Sequence, residues 1–335
     1  MMKINKINLF ILPIVIILSM MVMINITYAQ TWKFAVISDT HDADKDNTAT
    51  GVTAYLSPII KFIIEEKPDM VLETGDLITG TLTKPTSPVY TKYEDQYAAF
   101  QKLVEPLNKA NIPLFVIRGN HDYGKKNGDL DIQQAYQAAF AHNMPQNGPE
   151  DEKGLSYSFV HKKIKFIMVD QYINASYDNI TLPLDWLEKE LENKQNAEHV
   201  FVFGHSPAYS PADEKRRHFN LYDQPDLRDQ FWGMLVKNNV TAYICGHKHI
   251  YFRGNVNGVE QICAGNLGDA MGYNSDKVDN NLADVFPEKS VAVTDNRPGY
   301  IIFTVDTNKN TITANEYCLD ANSNKYLYDT YQFNF

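Results

Sequence analysis

The sequence contains few cysteines: only Cys245, Cys263 and Cys318 among 335 residues. Three cysteines cannot build a disulfide-dense scaffold, and their spacing matches no zinc-finger pattern. All three fall in predicted strands, which favours buried free thiols over a bridge. A single disulfide, for instance between Cys245 and Cys263, stays open as an alternative in an oxidising compartment. We therefore assign no chemistry to the cysteines.

Positive charge is also scarce, with 31 lysines and arginines against 41 acidic residues. Residues 1–29 hold two of those lysines and no acid, so the remainder carries a net charge of −12. Such a chain is not expected to coat nucleic acid, because coating proteins neutralise phosphates with lysine and arginine. A small phosphorylated substrate remains compatible, since bound metal ions can supply positive charge locally.

Residues 1–29 differ in composition from the rest of the chain, which lacks repeats and low-complexity runs. Lys3 and Lys6 precede an apolar run from Leu9 to Ile24. Thr27 and Ala29 are small residues at the two positions that signal peptidase reads, which places the cut after Ala29. We predict a signal peptide over residues 1–29, a single domain over residues 30–335, and a secreted or periplasmic location. The alternative is an uncleaved N-terminal membrane anchor with the domain facing outside.

Short apolar runs recur along residues 30–335, and their order predicts the fold class. The first third is predicted to be strand–helix–strand–helix–strand, which is typical of a parallel sheet with crossover helices. The later strands are predicted to be mostly antiparallel, and residues 266–298, which show no periodicity, are predicted to form a long loop. We expect an α/β fold of four layers, α/β/β/α, in which two mixed sheets are flanked by helices.

Five polar clusters each follow one of these apolar runs. Because parallel strands end at one edge of a sheet, the clusters are expected to meet there. Histidine and carboxylate donors suit Mn, Fe or Zn better than Ca or Mg. With His121 left over, the clusters offer two Asp, one Asn and four His as potential ligands, and these seven donors fit two ions that share one carboxylate. The clusters are Asp39-x-His41, Gly75-Asp76, Gly119-Asn120-His121-Asp122, Gly204-His205 and Gly246-His247-x-His249.

The ordered set resembles the calcineurin-like metallophosphoesterase superfamily, whose pattern is D-x-H, G-D, G-N-H-[DE], G-H and G-H-x-H. The resemblance spans Asp39 to His249, and it implies a four-layer metallophosphoesterase sandwich. It also implies that His121 is the acid or electrostatic group beside the leaving oxygen. It further implies two divalent or trivalent transition metal ions (Mn, Fe or Zn). The implied ligands of the first ion are Asp39, His41, Asp76 and His249. Asp76 would bridge to the second ion, whose other implied ligands are Asn120, His205 and His247.

Two subgroups of the superfamily do not match the sequence. Purple acid phosphatases place a metal-bound tyrosine three residues after the G-D aspartate, where this chain has Thr79. Serine/threonine protein phosphatases carry G-D-x-x-D-R-G and H-G-G, which are absent here. What remains resembles a broad group that contains secreted bacterial-type phosphodiesterases and phosphomonoesterases.

The expected function is hydrolysis of a phosphodiester or phosphomonoester, outside the cytoplasm, by a hydroxide that bridges the two metals. The alternatives are a DNA exonuclease of the same superfamily and an inactive metal-binding scaffold. The predicted partner is a small phosphorylated molecule, and a membrane is involved only through the N-terminal segment. Asp42 and Asp122 are candidates to orient ligand histidines. Arg118 is a candidate substrate contact, with a plain strand-end residue as the alternative. The other candidate contacts are Tyr123 and Tyr209, for which the alternative is core packing, and Arg216 and Arg217, for which the alternative is a surface turn.

Overall fold

The computed structural model shows two β-sheets with helices packed against them. The predicted signal peptide, residues 1–29, lies outside the described residues, as do Asp42, Arg216 and Arg217. The described residues are 31–41, 55–80, 82, 92–124, 129–175, 179–210, 219–267, 288–292 and 297–333.

Within these ranges the chain forms six α-helices and thirteen strands. The helices are α1 (Leu56–Glu66), α2 (Tyr93–Lys109), α3 (Asn120–Tyr123), α4 (Leu130–Ala139), α5 (Leu184–Glu192) and α6 (Pro225–Lys237). Short 3₁₀ turns occur at Ala141–Asn143, Glu150–Glu152 and Leu221–Asp223. The strands are β1 (Thr31–Ile37), β2 (Met70–Glu73), β3 (Leu114–Val116), β4 (Tyr157–His161), β5 (Ile164–Met168), β6 (His199–Phe203), β7 (Ala242–Cys245), β8 (Tyr251–Val256), β9 (Val259–Ala264), β10 (Glu288–Ala292), β11 (Gly299–Asp306), β12 (Thr311–Leu319) and β13 (Lys325–Phe333).

Both sheets are mixed, as predicted. The first has the order β13-β12-β11-β1-β2-β3, with β1, β2 and β3 parallel and the other neighbours antiparallel. The second has the order β10-β8-β9-β7-β6-β5-β4, in which β5, β6, β7 and β9 are parallel. The polar clusters follow β1, β2 and β3 in one sheet and β6 and β7 in the other. Within each sheet these strands therefore end at the same edge.

Strand β6 shows why the sheets are layered between helices. After His199 its residues are apolar on both faces, which is typical of a strand that is covered on both sides. Phe201 and Phe203 belong to the core shared with the first sheet, where Phe201 lies 5.6 Å from Phe34 of β1 between ring centroids. Val200 and Val202 point the other way, into a core that includes Leu187 of α5 and residues of α6. The predicted α/β/β/α architecture is confirmed.

Two strands were not predicted. Strand β8 contains Arg253, which is buried because its guanidinium pairs with Asp329 of β13 at 2.6 Å. Strand β10 lies inside the region that we predicted to be a loop, and it pairs antiparallel with β8. Polar residues interrupt both segments, so neither shows the apolar alternation from which a strand is recognised.

Cys245, Cys263 and Cys318 are all buried free thiols, which confirms the prediction that favoured free thiols over a disulfide.

In the described part of the chain, none of the helices combines the length and the apolar character needed to span a bilayer.

Candidate metal centre

The structure brings the polar clusters of both sheets together into two adjoining groups. The first group contains Asp39, His41, Asp76 and His249, and the second contains Asp76, His205 and His247. In each group one donor atom per residue lies within 4.8 Å of the corresponding atoms of the others. Asp76 belongs to both groups, and all six residues are buried.

The backbone at this site adopts conformations that sequence patterns do not reveal. Asp39, Asp76 and His247 have φ angles of 54°, 61° and 70°, in the left-handed region that residues other than glycine seldom adopt. Gly119 allows the loops to approach, because a Cβ atom there would lie 2.1 Å from Oδ1 of Asp76. Strained turns of this kind persist where the surrounding structure holds them, and they concentrate at functional sites.

In the first group, two imidazoles face each other. Nε2 of His41 lies 2.9 Å from Nε2 of His249, which is also 3.4 Å from Oδ1 of Asp39. Burial, together with His121 and His249, holds the pKa of His41 well below its usual value, so this ring is neutral. A neutral imidazole offers a lone pair, which is the form that binds a metal ion.

In the second group, hydrogen bonds fix the orientation of each histidine ring. Nδ1 of His205 donates to the Thr74 carbonyl oxygen at 2.9 Å, so Nε2 faces Oδ1 of Asn120 at 3.2 Å. Nε2 of His247 lies 3.0 Å from Oδ1 of Asn220, whose Nδ2 donates to Asp223. This leaves Nδ1 of His247 facing Oδ1 of Asn120 at 2.8 Å. Asn120 therefore joins the group as an oxygen donor, although it lies outside the histidine and carboxylate set.

Charge within the centre favours an ionised Asp76. Burial opposes ionisation, yet His205 and His121 hold the pKa of Asp76 well below its usual value. Burial lowers the pKa of His205, but the neighbouring Asp76 raises it to about 9. Burial raises the pKa of Asp39, and His205 partly offsets this effect. Asp76 and His205 thus form an ion pair, at 3.3 Å, whose proton a metal cation would replace.

The donor set fits metal ions. Potential ligand atoms converge on each other in both groups: imidazole nitrogens, carboxylate oxygens and the Asn120 carbonyl oxygen. Like acceptors repel at such distances unless a proton or a cation lies between them. Mixed nitrogen and oxygen donors of this kind suit transition metal ions.

A protein-family profile described as "Calcineurin-like phosphoesterase" matches residues 33–251. This chain belongs to the calcineurin-like phosphoesterase family. Tartrate-resistant acid phosphatase type 5 of Oryctolagus cuniculus is 26% identical over 184 residues, which cover 50% of this chain and 52% of that protein. A probable inactive purple acid phosphatase 9 of Arabidopsis thaliana is 25% identical over 222 residues, covering 58% of this chain and 31% of that protein. This chain therefore spans about half the length, or less, of these two relatives.

The fold of this family member also resembles a solved structure. The purple acid phosphatase PPD1 from seeds of yellow lupin (Lupinus luteus) matches with a TM-score of 0.62 and 17% identity, over 91% of this chain and 54% of that one. The similarity supports the shared architecture. Because the relatives include purple acid phosphatases, our exclusion of that subgroup is not confirmed.

His121 lies beside the two groups without belonging to either. Its Nδ1 donates to the Thr79 carbonyl oxygen at 2.6 Å, and its Nε2 lies 3.9 Å from Oδ2 of Asp76. The side chain of His121 is 21% exposed, compared with 2% for His41 and 6% for His249. His121 therefore stands on a more open side of the centre than these two histidines.

The structure contradicts the proposed substrate contact by Arg118. Its side chain has no exposed surface, and its Nε and Nη2 atoms donate to the two carboxylate oxygens of Asp170 at 2.7 and 2.9 Å. Asp122 does not orient a histidine either, because its carboxylate accepts hydrogen bonds from the amides of Leu77 and Gly119 and from the Tyr97 hydroxyl. Both residues hold the loops of the centre in place.

The proposed tyrosine contacts have other packing partners. Tyr123 is buried, stacks on Tyr172 and donates its hydroxyl to the Ala175 carbonyl oxygen at 2.7 Å, which is the core-packing alternative. Tyr209 is half-buried and packs edge-on against Trp232 at 5.0 Å between ring centroids, with Arg228 over its ring. Arg216 and Arg217 remain predictions, because they lie outside the described residues.

Several residues that shape the centre were missed by sequence reasoning. Thr74 and Thr79 orient His205 and His121 through backbone carbonyl groups, which every residue possesses, so no sequence signal marks them. Asn220 acts through its side chain, but no motif surrounds it. Asp170 and Gln171 could have been found, because they too directly follow a predicted apolar strand.

Proposed function

We propose that this chain is a dinuclear metal-dependent phosphoesterase that hydrolyses small phosphate esters. The observation that carries the proposal is the pair of buried donor groups that share Asp76. When bound, two metal ions would supply positive charge for the phosphoryl oxygens and activate the attacking water. The proposed ligands are Asp39, His41, Asp76 and His249 for one ion, and Asp76, Asn120, His205 and His247 for the other.

The protein's own groups support such a reaction in two ways. The neutral His41 and the ionised Asp76 are already in the protonation states that ligation requires. The imidazole of His121 is tethered through Nδ1 to Thr79, so its Nε2 can carry a proton toward the oxygen that leaves. Because His121 is more exposed than His41 and His249, an incoming ester can reach it.

We expect the protein with added Mn²⁺ to hydrolyse bis-p-nitrophenyl phosphate or p-nitrophenyl phosphate, and to leave linearised plasmid DNA largely intact. The net charge of −12 without residues 1–29 disfavours binding of a polyanion. Release of p-nitrophenolate and gel analysis of the DNA measure the two outcomes, with chelator-treated protein as the control.

The same assay separates the alternative functions. Rapid shortening of the DNA with weak turnover of the small esters would indicate the exonuclease. Two bound ions per chain without turnover of any of the three substrates would indicate the inactive scaffold; one relative is named a probable inactive purple acid phosphatase.

We also propose that the centre lacks the tyrosine ligand of purple acid phosphatases. Thr79 stands at that position, and its hydroxyl donates to Oε1 of Gln96 at 3.2 Å. A visible charge-transfer band from phenolate to iron(III) in the iron-loaded protein would contradict this proposal.

We propose further that the protein acts outside the cytoplasm, because residues 1–29 have the composition of a signal peptide. N-terminal sequencing of the exported protein should begin at Gln30. An exported, membrane-bound protein that retains residues 1–29 would indicate the anchored alternative, and an uncleaved protein confined to the cytosol would contradict export.

A further inference from the structure

The residues Asp170 and Gln171, which we call the Asp170–Gln171 pair, follow strand β5 and are buried. Strand β5 lies beside β6 in the second sheet, whereas Asn120 and His205 come from loops after β3 and β6. The pair thus lies between two loops that come from different sheets. Neither residue belongs to the donor groups of the metal centre.

Asp170 holds the loop that carries Asn120. Its two carboxylate oxygens accept hydrogen bonds from Nε and Nη2 of Arg118, two residues before Asn120. Oδ1 of Asp170 also accepts the backbone amides of Tyr172 and Ile173 at 2.8 and 3.1 Å, which fixes the carboxylate itself. A buried bidentate pair of this geometry leaves little freedom to the start of the Asn120 loop.

Gln171 holds the loop that carries His205. Its Oε1 accepts the backbone amides of His205 and Ser206 at 2.7 and 2.6 Å. Its Nε2 lies 3.3 Å from the hydroxyl of Tyr243, which donates to the Ser206 carbonyl oxygen at 2.6 Å. Because the amide of His205 is anchored directly, the position of its imidazole depends on Gln171.

We propose that the Asp170–Gln171 pair positions the ligands of the second metal ion and sets the affinity of the centre for that ion. The two segments that the pair holds carry Asn120 and His205, which are donors of the second group. Nε2 of His205 lies 3.2 Å from Oδ1 of Asn120. Asp39 of the first group is held differently, by Ser38 Oγ at 2.7 Å and the His247 amide at 3.0 Å. The inference rests on the proposed two-metal centre.

The test is Gln171→Met, which keeps the side-chain length and removes the amide oxygen that anchors His205. Loss of a group that orients a ligand typically lowers metal affinity by about 10–100-fold. We expect that loss for the second Mn²⁺ ion and an unchanged affinity for the first. Calorimetric titration of the metal-free protein with Mn²⁺, together with elemental analysis after dialysis, measures both ions without any assay of activity.

Gln261→Met is the matched control. Gln261 is also buried, and its Oε1 accepts the amides of Ala208 and Tyr209 at 2.9 and 3.0 Å, farther along the same loop. The substitution removes the same type of anchor at a position that bears no ligand. We expect a similar loss of thermal stability and full retention of both ions.

A conservative variant separates positioning from general loosening. Gln171→Glu retains oxygen atoms that accept the two amides, so it should recover part of the affinity lost in Gln171→Met. If Gln171→Met fails to fold, Asp170→Asn provides the second variant, because it weakens the hold on Arg118 and should also lower the affinity for the second ion.

The outcomes distinguish this inference from the proposed function. Two ions bound to Gln171→Met with unchanged affinities would overturn the inference and leave the two-metal centre intact. An equal loss of the second ion in Gln261→Met would also overturn it, because the effect would then reflect loosening of the whole loop. Fewer than two ions in the unsubstituted protein would refute the two-metal proposal and this inference with it.

Discussion

Asp76→Asn is expected to lose both metal ions, whereas Asp39→Asn is expected to lose only the first. Asp76 belongs to both donor groups, while Asp39 belongs to one. The comparison is well matched, because both aspartates are buried and both have a positive φ angle, a conformation that asparagine adopts readily. Each substitution therefore removes the charge of the ligand and keeps a residue type that is compatible with the left-handed backbone conformation.

The activity of Asp76→Asn should fall by at least about 10³-fold in kcat/KM, which corresponds to ~4 kcal/mol of lost transition-state stabilisation. Elemental analysis after dialysis against Mn²⁺ gives the metal content, and circular dichroism checks the fold. We expect close to zero ions per chain in Asp76→Asn and one in Asp39→Asn. Two ions retained in Asp76→Asn, or the same loss in both variants, would contradict the assignment of Asp76 as the shared ligand.

The parts of the fold that could be predicted from the sequence are those in which each strand has a recognisable apolar pattern of its own. Strand β6 is apolar from Val200 to Phe203 because both of its faces are covered, and the sequence predicts a strand over the observed residues His199–Phe203. Strand β8 gave no such signal, because Arg253 is stabilised inside it by Asp329, 76 residues farther along the chain. A buried charge with a distant partner cannot be recognised from the residues around it.

The donor residues of the centre could be listed from the sequence, since each type of donor follows a strand and a glycine or a short turn. Their geometry could not. The left-handed conformations of Asp39, Asp76 and His247 depend on neighbouring loops, and the ring orientations of His205 and His121 depend on the carbonyl oxygens of Thr74 and Thr79. Arg118 was predicted to contact the substrate, and its ion pair with Asp170, 52 residues farther along the chain, could not be recognised from the residues around it. Arg118 is therefore part of the support of the site and not of its surface.

His121→Ala is expected to retain both metal ions and the fold, and to lose activity in a way that depends on the leaving group. His121 lies outside both donor groups, and its Nε2 is 3.9 Å from Asp76. General acid catalysis typically contributes about 10²–10⁴-fold. We expect kcat to fall by about that factor on an ester with an alkyl leaving group, which must be protonated as it departs.

On a p-nitrophenyl ester the loss should be much smaller, because p-nitrophenolate leaves without a proton. The measurement is the ratio of the two losses, taken on enzyme loaded with Mn²⁺. His142→Ala is the control, because His142 is exposed and lies outside the donor groups, so neither rate should change. The ratio separates protonation of the leaving group from any general damage to the site, since general damage would slow both substrates alike.

Two other results would assign His121 a different role. Equal losses on both esters would indicate that its imidazole positions the phosphoryl group or stabilises its charge. A loss of metal in His121→Ala would show that the ring acts as a ligand. The structure argues against the second result, because the ring of His121 is more exposed than those of His41 and His249, both of which we assign to the first metal ion.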